Sequence, residues 1–476
     1  MPKLVLQCLV AVSVLAPAVA WLEPASDPAP AALSGGALSV ADNSESAYSH
    51  PLATLDAKQS ELFALGHKMF NNRWAFFWFE NAEFGRGPTS NAQACTTCHT
   101  NNGRGSITGT SHGVDGVARD HHITVPFEAA PNLVVRISVK GEDAHGGPKP
   151  HAAYGDQLQI FGVKGVLPAE GSFSVGWRER IVTLPDGEQV HLRSPVVTLS
   201  DLAYGPLGED AMVGLRLAPP LIGLGLLEAI PEDTIAQLAA RASVAGIRGR
   251  INRVWDESRG RTVSGRFGLK ANHGSVREQV AAAFLNDIGL STPVYPDQNC
   301  PPIQKGCKEL MVAGKPEITA LRLAATELYV RALSVPMRRD AEDAQVRRGE
   351  QLFAQAHCAV CHVPELKTGD FAPLPQLAGQ TIQPYTDLLL HDMGEGLADG
   401  RPDFLASGSE WRTPPLWGIG LSQKVNGAGS FLHDGRARNF VEAILWHGGE
   451  AEASRAAFAE LARKDREAVV AFLQSL

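Results

Sequence analysis

The chain has 476 residues, enough for two or three domains and for sizeable hydrophobic cores. Its 43 Lys and Arg stand against 51 Asp and Glu, a net charge of −8 with no long basic block. That balance argues against nucleic acid as a partner and suits docking to a basic protein surface.

Taken in chain order, the first segment reads as an export signal. Lys3 gives a short basic region, Leu4 to Leu15 is apolar, and Ala18-Val19-Ala20 is an A-x-A cleavage signal before Trp21. Residues 1–20 are therefore expected to be a signal peptide, with the mature chain periplasmic or secreted. Cys8 lies inside the apolar run and is given no role. No stable membrane insertion is expected, because the most apolar later stretch, 211–230, is interrupted by Arg216, Pro219 and Pro220.

Residues 21–57 lack periodicity and read as a linker. From Asp56 to Phe70, Leu62, Phe63, Leu65, Met69 and Phe70 recur near helical spacing and predict the first helix. The β-branched runs 133–139 and 180–184 predict a β-rich insertion over about 132–200, with a hairpin at Pro185-Asp186-Gly187. Helical patterns return at 231–243, where Pro231 suits a first position, and at 275–287 and 316–334. Cys300 and Cys307 flank a short loop, and in an oxidising compartment are expected to form a local disulfide. From Pro336 onward, repeated prolines predict short helices joined by ordered loops.

Two motifs carry chemistry. Cys95-Thr96-Thr97-Cys98-His99 and Cys358-Ala359-Val360-Cys361-His362 are both C-x-x-C-H. That spacing lets two thiols bond to haem vinyl carbons while the adjacent imidazole reaches the iron. A zinc site would need the distant pairs to meet and leaves both histidines unexplained; a thiol redox pair does not need them. The expected cofactors are two covalently bound haem c groups. An internal repeat accompanies them: Ala218 to Leu226 is echoed by Thr413 to Leu421, each copy downstream of its own motif and preceded by Arg216 or Arg412. The expected fold is mainly α, with two cytochrome c-like haem domains over 58–335 and 336–476 and the β-rich insertion in the first.

With these motifs placed, residues 58–476 resemble the di-haem oxidoreductase family (DHOR), described as peroxidases or thiol oxidoreductases and related to bacterial di-haem cytochrome c peroxidases. The resemblance rests on Phe84 to Pro88, Ala218 to Glu228, Phe267 to Asp287, Pro384 to Gly394, Arg412 to Leu421 and Phe431 to Glu450. It implies that His99 is the proximal ligand of a reactive haem and His362 that of an electron-transfer haem. Where the peroxidases place a methionine after an E-A-V-type helix, Glu442-Ala443-Ile444-Leu445-Trp446 here leads to His447. His447 is thus the expected sixth ligand of the second iron, with Met393 and His433 behind it; a His/His iron sits at lower potential than a Met/His iron.

On the first haem, His112 falls where the peroxidases carry a removable distal histidine, with His121 and His122 weaker alternatives. Gln279 and Asp287 match the peroxidase glutamine and catalytic glutamate, Asp287-Ile288-Gly289 standing for E-M-G, and Glu228 is a second acid candidate. Trp74, Trp78, Trp417 and Trp446 either bridge the haems electronically or simply pack. The implied function is an exported peroxidase that takes electrons from a small cytochrome c or copper protein and passes them to a small-molecule oxidant. A pure electron-transfer cytochrome with both irons six-coordinate is the alternative from another class, and an oxidase or oxygenase on the same scaffold is a third. The sequence leaves calcium between the domains open.

Overall fold

The first helix runs Ala57–Asn71, started by a reciprocal cap in which Asp56 accepts from the Gln59 amide and the Gln59 side chain accepts from the Asp56 amide. In the computed structural model, which describes residues 30–75, 83–107, 132–310, 314–427 and 429–476, this helix lies against helix Ala320–Arg331. Gly66 permits the approach, since a Cβ there would collide with the Ala325 carbonyl. Phe63 and Phe70 meet the Tyr329 ring at 4.9 and 5.2 Å, contacts worth about 0.5–1.5 kcal/mol each beyond burial. The Tyr329 hydroxyl donates to Asn102 Oδ1 at 2.8 Å, so the helix pair also fixes the segment just after the first C-x-x-C-H.

A three-stranded antiparallel sheet follows, with Leu133–Glu142 central between Pro148–Lys149 and Ala211–Leu217. Leu133, Val135 and Ile137 alternate onto its buried face, where they join Tyr154, Leu158, Phe173 and Trp177 in a core of their own. Strands Ser172–Thr183 and Gln189–Ser200 form a long hairpin turning at Asp186 and Gly187. Its tip reaches the C-terminal haem-motif region. Leu184, Val190 and Leu192 pack with Phe353, Trp446 and Phe472, and Arg466 pairs with Asp186 and Glu188 at 2.6 and 2.8 Å. The end of the chain closes with helix Arg463–Ser475 on helix Ala344–Gln355, where Gly349 abuts the Ala468 carbonyl.

The expectation of a mainly α fold is corrected. The chain is mixed α/β, 29% helix and 20% strand, with several small antiparallel sheets. Strands extend past the expected insertion to Ala211–Leu217, and short two-stranded ribbons recur at 253–264, 366–382 and 390–412. The physical reason is length: segments of two to four residues between prolines and glycines cannot complete a helical nucleus, and they satisfy their backbone groups by pairing across the chain instead. The expected helices are present in shortened form, as Glu232–Ala239, Val276–Ala283 and Ala320–Arg331, with Pro231 as the cap of the first rather than inside it. Cys300 and Cys307 form the expected disulfide. Among the described residues no helix is long and apolar enough to cross a membrane.

The sequence repeat is also a structural one. In each copy a strand delivers its arginine, two prolines follow, and a left-handed glycine, Gly223 (φ 68°) or Gly418 (φ 72°), starts the next helical turn. The copies pack on each other: a Cβ on Gly223 would strike the Trp417 ring, and one on Gly418 would strike Ile222.

Candidate functional site: two cavities behind the C-x-x-C-H turns

Each C-x-x-C-H motif is a 3₁₀ turn, Cys95–Thr97 and Cys358–Val360. The His99 and His362 amides donate to the Cys95 and Cys358 carbonyls, both at 3.0 Å, so thiols and imidazole stay on one turn. None of the four cysteines is in a disulfide, and the two groups line separate, largely apolar cavities. They do not converge, which excludes a shared zinc site built from both pairs.

In the second cavity, the His362 Nδ1 is tied to the Tyr385 carbonyl at 2.9 Å. Burial holds His362 down to about 4 and therefore neutral, as a ligand must be. Tyr385 and Leu388 take left-handed conformations (φ 51° and 62°) to aim this segment. His447 lines the same cavity, its Nδ1 tied to the Ala443 carbonyl one helical turn back at 2.8 Å, and burial lowers its pKa. Both histidines thus have Nδ1 engaged and Nε2 as the remaining ring nitrogen. Met393 and His433 also line this cavity, but His433 is engaged elsewhere: it stacks on Trp411 at 3.7 Å and lies 3.3 Å from Asp434. His391 also lines this cavity, beside Cys361. Burial opposes its charge, yet hydrogen bonds to Asp387, Cys361 and Glu450 outweigh that and raise it to about 12.

The first cavity brings together Cys95, Cys98, His99, Gln279 and Asp287. His99 is neutral, held to about 4 by burial against the raising effect of the Pro219 and Gly103 backbones; its Nδ1 is buried without a well-formed hydrogen bond. Asp287 sits in the irregular turn Phe284–Ile288 that ends the Val276–Ala283 helix. Its carbonyl accepts from the Asn91 and Ala92 amides at 2.8 and 2.9 Å, locking it to the strand of chain that leads into the first motif. Its Oδ1 accepts from Gln157 Nε2 at 2.9 Å. Burial raises the Asp287 pKa, with the Gln157 hydrogen bond acting against it.

Glu228 is not part of this group. It is clamped by Arg331 at 2.6 and 3.0 Å and accepts from the Val276 amide, a buried pair joining three helices. His112, His121, His122 and Trp78 lie outside the described residues. Trp74, Trp417 and Trp446 are buried in the two main cores and line neither cavity. Sequence reasoning missed Gln157 and Trp411, and it noticed Arg412 only as a marker of the repeat. It also missed Arg104, which with Leu269, Arg412 and Pro414 lines both cavities.

The residues present fit a c-type haem in each cavity: two thiols outside any disulfide, a neutral imidazole, anchored through its second nitrogen at His362, and an apolar enclosure. The chain matches, over residues 29–476, a family described as "Di-haem oxidoreductase, putative peroxidase". No curated protein matches it. Among solved structures, it is similar to a hydrazine synthase of Kuenenia stuttgartiensis determined under xenon pressure, with 21% identity and a TM-score of 0.22. That similarity covers 33% of this chain and 55% of the other.

Proposed function

The chain belongs to the di-haem oxidoreductase family, and on that premise we propose that it carries two covalently attached haems and reduces hydrogen peroxide at the N-terminal one. Cys95, Cys98 and His99 would hold the first group, and Cys358, Cys361 and His362 the second, with His447 as the further ligand of the second iron. When bound, the haems supply the one-electron redox chemistry and an iron for peroxide to bind. Reduction to water also needs a proton moved from the near peroxide oxygen to the far one, and a positioned acid-base group does this.

The observation that carries the proposal is Asp287: a buried carboxyl lining the His99 cavity, anchored at Oδ1 by Gln157, with its pKa raised by burial. With Oδ1 held, Oδ2 accepts the proton and returns it, burial having raised the carboxyl's affinity for that proton. Gln279, on the same cavity, orients the incoming oxidant by hydrogen bonding. The export signal supports a periplasmic or secreted setting, and a small cytochrome c or copper protein suits the electron supply. The test is Asp287→Asn. Peroxide turnover should fall by about 10²–10⁴-fold with haem content and spectra retained; turnover equal to the parent would remove Asp287 from the chemistry.

A further inference from the structure

Two arginines are shared between the cavities. Arg104 and Arg412 each line both cavities and are each only 8% exposed. Among the described residues neither has a carboxylate partner. Arg104 donates through Nη1 to the Leu432 carbonyl at 3.1 Å, and its Nε is buried with no partner. Arg412 donates only to carbonyls, Gly268 at 2.9 Å and Thr413 at 3.3 Å.

The other cations of the first cavity are neutralised. Arg216, the counterpart of Arg412 in the repeat, meets Asp399 at 2.5 Å; Lys270 meets the same carboxylate at 3.4 Å; Arg136 meets Asp156 at 3.1 Å. A buried charge without an ion-pair partner costs several kcal/mol, and burial draws Arg104 and Arg412 down to about 10, opposed only by Tyr48 at Arg104 and by the Asp387 carboxylate, outside ion-pair distance, at Arg412. Such a cost is offset when a ligand brings the missing carboxylate, for which the planar guanidinium is the matching donor.

We propose that Arg104 and Arg412 form a clamp for the carboxylates of the prosthetic groups, each haem turning a propionate toward this shared wall. The inference rests on the two-haem reading above. Because each arginine lines both cavities, its charge would act on both irons, and the clamp would couple the two sites electrostatically.

Holoprotein carrying Arg104→Gln or Arg412→Gln tests this, with haem content from a pyridine haemochrome assay and both potentials from a spectroelectrochemical titration. Haem content should match the parent. Each substitution should lower the potential of both haems, since losing a nearby positive charge favours the ferric state, and Arg104→Lys and Arg412→Lys should largely restore it. Arg136→Gln, whose charge lines only the first cavity and is already paired, should leave the second potential unchanged. The propionate bending band in resonance Raman should shift in the Gln variants. It should shift in the Lys variants too, because an ammonium cannot reproduce a guanidinium contact, so the Lys variants decide the matter if the Gln variants do not fold. Unchanged potentials and an unchanged propionate band overturn the clamp while leaving two haems in place. A parent protein with fewer than two haems instead overturns the reading on which the clamp rests.

Discussion

His447 and Asp287 differ in how far their surroundings were legible. The C-x-x-C-H motifs can be read from sequence because covalent attachment requires contiguous spacing, whereas His447 and Asp287 were pointed to by the family resemblance. Gln157, which holds Asp287, could not be read, since the two are 130 residues apart and nothing local marks the contact. The engagement of His433 with Trp411 is likewise a tertiary fact. At His447 the account predicts that His447→Met keeps a low-spin iron and raises its potential, a thioether being the ligand that favours the reduced state; an unchanged spectrum and potential would transfer the role to Met393. Two residues beyond Gln157, the Gln159 amide donates to buried Glu170 at 2.7 Å, and Glu170 also accepts from the Gln304 side chain at 2.5 Å. Burial pushes its pKa from 4.5 to about 8, Gln159 and Gln304 opposing. The native state therefore keeps a proton that the unfolded chain has released, and stability falls as pH rises from about 4.5 through about 8. Glu170→Gln should flatten that decline in Tm; a slope equal to the parent's would contradict the assignment.

The elements show why a helical expectation was only partly right. Periodicity located Ala57–Asn71 and Ala320–Arg331, whose apolar faces repeat along one stretch of chain. It could not locate ribbons such as Leu366–Lys367 with Thr381–Ile382, whose two-residue strands are too short to show alternation. The repeat was visible in sequence, but not that its copies face each other through Gly223 and Gly418. That contact gives a prediction at this scale. Gly223→Ala places a side chain at positive φ, a cost of about 1–3 kcal/mol, and drives it into the Trp417 ring, adding an overpacking cost of about 1–3 kcal/mol. A clear fall in Tm should follow, whereas the same change at Gly187, also at positive φ but with nothing within 4 Å of an added Cβ, should cost only the backbone share. Equal losses at the two sites would mean that the copies do not press on each other as described.

Across the whole molecule, the β hairpin and the pair of shared arginines tie the two C-x-x-C-H regions together. The hairpin lays its tip on the C-terminal core, and Arg104, five residues after the first motif, reaches the wall of the second cavity. The proposed division of labour places Asp287 on the first cavity and His447 on the second. The most direct test mixes hydrogen peroxide with the half-reduced holoprotein and follows absorbance and EPR. The account predicts a high-spin N-terminal iron beforehand and, on mixing, consumption of peroxide with oxidation of the C-terminal haem. Two low-spin irons that leave peroxide untouched would contradict it and make the protein an electron carrier.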